Sequence, residues 1–219
     1  MNMERPLHAL IGSVPGTSLL LRHGAVDSPG NGKRYIGWQD VALSNLGGQQ
    51  AHAWADRFSD AALVTIYCST LTRCLETARI IGHRNCLTPQ ALPELRELNM
   101  GSWEGRRIDT IKTRYPLAYR QRGDQIADYR PPGGESFRDL QQRVWSSFET
   151  MARRLQGLTL VVTHAGVIRV LLCRLLEIPL KNLFRIGQTF GTLTTVTIGP
   201  HGYCVQAVNL PCHDTTMGR

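Results

Sequence analysis

The chain has 219 residues, 42% of them hydrophobic and 19% charged, which is enough length for one substantial core and excludes the disordered and fibrous classes. Its formal net charge of +8 suits an anionic partner, but the basic residues are dispersed, in pairs such as Arg106-Arg107 and Arg153-Arg154 rather than in a run. Nucleic acid is therefore not the expected partner; a phosphorylated small molecule is, with a plainly solvated basic surface as the simpler account of the same charge.

The N-terminus, MNMERPLHALIGSVPG, lacks the basic, apolar and small-residue succession of a secretory signal, so the cytoplasm is the expected compartment. A short apolar run in SLLLRHGAVD reads as a buried strand that gives way to Arg22, His23 and Gly24. After a Gly-rich loop, Ser44 is placed to cap a helix ending near Phe58. LVTIYCS is a second buried strand, and in the next segment Leu71, Cys74, Leu75, Ala78 and Ile81 fall at helical spacing. From PELRELNMGSWEG to DYRPPGGES the chain is irregular and punctuated by Gly and Pro, an excursion able to cover a site. Ser136 then caps a long helix that begins FRDLQQRV. LTLVVTHAG is a third apolar strand, followed by the helix VIRVLLCRLLEI; Arg169 and Arg174 interrupt this most apolar stretch, so no membrane partner is expected. The end of the chain alternates like a hairpin across Gly199 to Gly202, and its outer strand offers a route to a homodimer.

Strands alternating with helices give the expected fold: α/β, with a doubly wound, mostly parallel sheet, helices on both faces and an antiparallel element near the C-terminus. No Ser- or Pro-rich linker divides the chain, so a single domain is expected over residues 1–219, loose at 1–16 and 213–219. The cysteines (68, 74, 86, 173, 204 and 212) form no CxxC pair and lack metal-ligand spacing; most read as buried small hydrophobes in a reducing compartment.

The chemistry concentrates where strands end. Arg22-His23-Gly24, Ser69 leading to Arg73, and Thr163-His164-Ala165-Gly166 each follow an apolar strand, and in such a sheet ligands bind beyond the carboxyl ends of the strands. Singly, each His is more often structural and each Arg a surface residue; jointly, two imidazoles and two guanidiniums converging on one edge suit phosphoryl chemistry. Arginine forks bind phosphate oxygens, a neutral imidazole can attack phosphorus if a carbonyl holds its other nitrogen, and a helix N-terminus after His164 favours an anion. Gly24 permits the close backbone approach that such a carbonyl needs. An alkoxide leaving group needs a proton donor, and Glu94, Glu97 and Glu104 are all available in the excursion. The GNGK stretch fails as a P-loop, and neither an HExxH cluster nor a GxSxG elbow is present.

The chain resembles the histidine phosphatase superfamily, which includes cofactor-dependent phosphoglycerate mutases and many small phosphatases. The resemblance rests on Arg22-His23-Gly24, YIGWQDVALSNLGGQQA, STLTRCLETA with Arg73, LRELNMGSWEG, which selects Glu97, and VVTHAGVIR with His164, in family order from about residue 18 to residue 170. By resemblance, His23 is the phosphorylated nucleophile, Glu97 protonates the leaving group and then activates water, and Arg22, Arg73 and His164 bind the phosphoryl group. Gly24, Asn31, Gly37 and Ala165 are the further substrate-binding positions, and no metal or organic cofactor is implied. The family's mutases carry Asn six residues after the nucleophile, where this chain has Pro29, with Asn31 as the stand-in. The middle segment is also shorter than theirs and resembles the phosphatase branch, including α-ribazole-phosphate phosphatases, with Glu135 and Ser136 placed to line the mouth of the site. The implied activity is a metal-independent phosphomonoesterase acting through a phosphohistidine on a small phosphorylated metabolite, α-ribazole phosphate being a candidate. The alternatives are a cofactor-dependent phosphoglycerate mutase and a non-catalytic phospholigand-binding domain.

Overall fold

A computed structural model describes residues 16–27, 30–153, 157–200 and 202–212. Pro29 and the termini 1–15 and 213–219, expected to be loose, lie outside the described residues. Gly16, counted with the loose end, is placed: its carbonyl accepts the Ile198 amide at 3.2 Å.

In chain order the elements are β1 (Thr17–Arg22), α1 (Asn45–Arg57), β2 (Leu63–Ser69), α2 (Thr72–Arg84) and β3 (Gln90–Leu92). Two 3-10 turns, Pro93–Leu95 and Gly101–Trp103, lead to α3 (Ile108–Arg114), α4 (Pro116–Asp124) and α5 (Phe137–Arg153). Then come β4 (Leu158–Thr163), α6 (Ala165–Leu175), a 3-10 segment (Leu180–Arg185), β5 (Leu193–Gly199) and β6 (Gly202–Leu210). The strands form one six-stranded sheet in the order β3-β2-β4-β1-β5-β6. The first four are parallel, and β5 and β6 add an antiparallel pair, so the expected mixed α/β sheet is present.

Alternate residues of the central strands feed two cores, as a sheet covered on both faces requires. Leu20, Val161 and Val196 pack with Phe137, Leu140 and Val144 of α5 on one side. Leu19, Leu21, Leu160 and Val162 pack with Trp54 of α1 and Ala78 of α2 on the other. The caps follow the expected chemistry. Ser44 Oγ accepts the Gly47 amide at 3.1 Å. Ser136 Oγ accepts Asp139 N at 3.2 Å while the Asp139 carboxylate accepts Ser136 N at 2.9 Å, a reciprocal capping box. Ser136 is thus spent on the helix start rather than on the mouth of the site.

The excursion contains more order than its composition announces. α4 starts with Pro116 at its first turn and buries no residue, so it has no apolar stripe for a periodicity argument to find. β3 is three residues long, too short to show alternation. No helix among the described residues is long and apolar enough to cross a membrane.

The register sets the functional edge. Arg22 lies opposite Thr163 in the β1–β4 pair, and Cys68 opposite Val162 in the β2–β4 pair. Three adjacent parallel strands therefore end at one level. The loop leaving β1 then passes α1 at backbone distance, since a Cβ on Gly24 would collide with the Gly47 carbonyl and a Cβ on Gly47 with that of Ala25. Gly24 is thus required by this contact with α1. Gly47→Ala should displace the loop and lower stability by about 1–3 kcal/mol, the usual cost of overpacking, measured by denaturant unfolding; an unchanged midpoint would show that the contact can relax.

Candidate active site

His23 is the first residue beyond β1, and its amide continues the parallel ladder to Thr163 O at 3.0 Å. The residue is 4% exposed. Its Nδ1 lies 2.8 Å from the Gly24 carbonyl; a carbonyl can only accept, so Nδ1 carries the hydrogen and Nε2 keeps its lone pair. Burial pushes the imidazole pKa well below its ordinary value, with Arg73 and Arg22 acting in the same direction and the Gly24 carbonyl opposing them. The ring is held neutral, with one nitrogen available for bonding to an electrophile.

His164 follows β4 as the N-cap of α6 and is fully buried. Its ring stands edge-on to His23 with centroids 5.1 Å apart. Nδ1 accepts Arg73 Nε at 3.3 Å, which leaves Nε2–H to donate to Ser69 Oγ at 2.8 Å. Burial, then Arg73, His23, Arg22 and Arg143, lower its pKa well below the ordinary range. The Cys74 thiol lies 3.4 Å from the same ring, its own pKa pushed up by burial.

The guanidiniums are anchored by backbone carbonyls. Arg73, 1% exposed, donates Nη1 to Gln39 O at 3.0 Å and Nη2 to Gly37 O at 2.7 Å. Arg22 donates Nη1 to Gln188 O at 2.6 Å and lies 3.7 Å above the Phe190 ring. Its buried Nε has no protein partner. Burial lowers the Arg22 pKa to about 10, against the attraction of Glu97, so the cation persists at neutral pH.

Of the three candidate acids, the structure brings Glu97 to the cluster. Its Oε2 accepts the Gly166 amide at 3.1 Å, at the N-terminus of α6, and its Oε1 accepts Leu98 N at 2.9 Å. A Cβ on Gly166 would collide with that carboxylate. Glu94 is exposed. Glu104 is saturated: Gly37 N, Trp38 N, Gln39 N and Met100 N all donate to its two oxygens, at 2.7 to 3.1 Å. It therefore builds the loop whose carbonyls hold Arg73. Glu135 pairs with Arg143 at 2.9 Å and accepts Asn99 N at 3.0 Å, so it braces the excursion instead of lining its mouth.

The remaining expected positions divide. Gly37 supplies the Arg73 anchor and Gly24 the His23 anchor. Ala165 is buried at the first turn of α6, beside the His164 cap. Asn31 is exposed and makes no hydrogen bond to the cluster. Sequence reasoning offered Glu104 only as a candidate acid and missed Phe190 and Gln188, whose partners are remote in the chain. Three of the four amides facing Glu104 were hidden by a separation of more than sixty residues.

The chain matches the sequence model of the histidine phosphatase superfamily (branch 1) over residues 18–211. It is 27% identical to phosphoserine phosphatase 1 of Hydrogenobacter thermophilus, over 89% of this chain and 92% of that protein. It is 34% identical to a probable phosphoglycerate mutase GpmB of Yersinia pestis, over 73% of this chain and 74% of that protein. Among solved structures it superposes on the α-ribazole phosphatase from Shigella flexneri with a TM-score of 0.80 and 25% identity, covering 88% of this chain and 96% of that one.

Two measurements check the geometry. Glu104→Gln replaces an acceptor oxygen by an NH2 that faces amide donors, so unfolding should cost about 2–3 kcal/mol less and turnover should fall as Arg73 loses its anchors; an unaltered midpoint would contradict the role assigned to Glu104. His23 and His164 bind protons less readily folded than unfolded. Their contribution is thus fully present above the unfolded value of about 6.5 and lost as pH falls below it. Denaturant midpoints should drop between pH 7.5 and 5, and less steeply in His23→Ala.

Proposed function

Because the chain belongs to the histidine phosphatase superfamily, we propose that this phosphatase is a metal-independent phosphomonoesterase that works through a phosphohistidine at His23. The observation that carries the reading is the bond from His23 Nδ1 to the Gly24 carbonyl at 2.8 Å, which leaves Nε2 as the nucleophile.

The phosphoryl oxygens bind between Arg22 and Arg73, whose anchored forks require no rearrangement as charge develops. His164 fixes Arg73 and lines the phosphoryl position. Nε2 of His23 attacks phosphorus while the bond to the ester oxygen breaks, and protonated Glu97 delivers its proton to the departing alkoxide. In the second half, Glu97 as carboxylate takes a proton from water, whose oxygen attacks the phosphohistidine. Inorganic phosphate leaves and both groups return to their starting states. Gly24, Gly37 and Ala165 serve through their backbones.

The substrate is a small phosphorylated metabolite, with α-ribazole phosphate and phosphoserine as candidates suggested by the activities for which similar proteins are named. The enzyme is read as a single cytoplasmic domain, with the outer edge of β6 available to a second copy. A mutase reading stays in view because of the 34% identity to a probable phosphoglycerate mutase. It differs by returning the phosphoryl group to a second hydroxyl.

Hydrolysis of p-nitrophenyl phosphate and 3-phosphoglycerate in EDTA, with acid-labile trapping of the phosphoenzyme, tests the proposal. His23→Ala should abolish turnover and labelling. Glu97→Gln should slow poor leaving groups by about 100-fold or more and p-nitrophenol much less. Substantial turnover in His23→Ala, or interconversion of phosphoglycerates without phosphate release, would overturn it.

A further inference from the structure

Glu97 stands on backbone that no ladder supports. After the 3-10 turn Pro93–Leu95, residues 96–100 belong to no helix or strand, so the carbonyls of this stretch need partners from elsewhere in the chain. Four in succession find them. Leu95 O accepts Thr163 Oγ1 at 2.9 Å, at the end of β4. The other three, Glu94 O, Arg96 O and Glu97 O, all accept from one guanidinium, that of Arg143 on α5, at 2.6, 3.2 and 3.3 Å.

A guanidinium has five N–H groups, and at Arg143 each has an acceptor. Nη1 donates to Glu94 O and Arg96 O, Nη2 to Glu97 O and to Glu135 Oε2, and Nε to Glu135 Oε1, the last two at 2.9 Å. Glu135 is fixed to the same stretch: its Oε2 accepts Asn99 N at 3.0 Å and its amide donates to Asn99 O at 2.9 Å. The pair therefore holds the backbone on both sides of the acid. Both side chains are only 21% exposed, which limits competition from water. Glu97 O also accepts Trp38 Nε1 at 2.7 Å, so the same carbonyl is tied to the loop whose carbonyls anchor Arg73.

We infer that Arg143 is a positioning residue for the proton-transfer steps, acting through the backbone of Glu97 and touching neither the phosphoryl group nor the leaving group. The Glu97 carboxylate is oriented by Gly166 N and Leu98 N, but its reach is set by where its backbone lies relative to α6, and Arg143 sets that. Proton transfer needs donor and acceptor within about 2.6–3.2 Å, so a displacement of about 1 Å disarms the acid. His23, carried by β1, keeps its place. The inference rests on the phosphomonoesterase reading and adds a support for its acid.

Phenyl phosphate and p-nitrophenyl phosphate share an aryl leaving group and differ in how much they need a proton, which makes the test. Arg143→Gln should lower kcat/KM for phenyl phosphate by about tenfold or more and for p-nitrophenyl phosphate far less. Arg143→Lys, which keeps the charge without the planar fork, should retain part of the activity on phenyl phosphate. In a Glu97→Gln background Arg143→Gln should cost less than about threefold more, because the two changes act on one step. Equal losses on both esters, or full additivity with Glu97→Gln, would overturn the inference by making Arg143 a merely structural brace. If circular dichroism shows the Arg143 variants unfolded, Glu135→Gln decides, a smaller loss confined to phenyl phosphate supporting the inference and an unselective loss or none overturning it. Turnover of p-nitrophenyl phosphate that requires His23 upholds the phosphatase reading whichever way these comparisons fall.

Discussion

A guanidinium buried to 1% exposure must find acceptors for its hydrogens, and at Arg73 that requirement organises the site. Leaving such donors unmet would cost several kcal/mol. The acceptors come from distant parts of the chain: Gly37 O and Gln39 O in the loop after β1, and His164 Nδ1 beyond β4. The loop carbonyls can face Arg73 because Glu104 gathers the amides of the same residues on the other side. A carboxylate from the excursion, a loop from the first crossover and the residue that caps α6 are thereby locked around one cation.

The same burial sets the protonation states. Two imidazoles with ring centroids 5.1 Å apart, next to two guanidiniums, would repel strongly if charged, and desolvation already disfavours their charged forms. Neutral rings have one donor and one acceptor each. At His23 the Gly24 carbonyl takes the donor; at His164 Arg73 takes the acceptor. Opposite tautomers follow from opposite partners, which leaves a lone pair on His23 Nε2 and a hydrogen on His164 Nε2. A dianion entering this field would meet the fixed positive charge of Arg22 and Arg73, with little reorganisation left to do.

Much of this was legible before any coordinates. Arg22, His23, Arg73 and His164 follow apolar runs that can only be strands in a chain alternating with amphipathic segments, and the register places the ends of β1, β2 and β4 at one level. Glu97 could be separated from Glu94 and Glu104 by family pattern but not by residue chemistry, because all three are carboxylates in one polar stretch. Asn31 was offered by the family resemblance, as the stand-in for the mutases' asparagine, and is an exposed loop position. α3 and α4 went unread because short helices with few buried residues leave no periodic trace.

The sequence by itself determined the strands other than the short β3, the long helices and their caps, because apolar period, Ser44 and Ser136 act through contacts within a few residues. It also determined which residue types were available for phosphoryl chemistry. Only the tertiary structure decided which nitrogen of each histidine is free, which glutamate stands beside α6 and which serves as a brace. Those outcomes depend on hydrogen bonds between groups remote in the chain, and the directions of such bonds are fixed when the strands come into register.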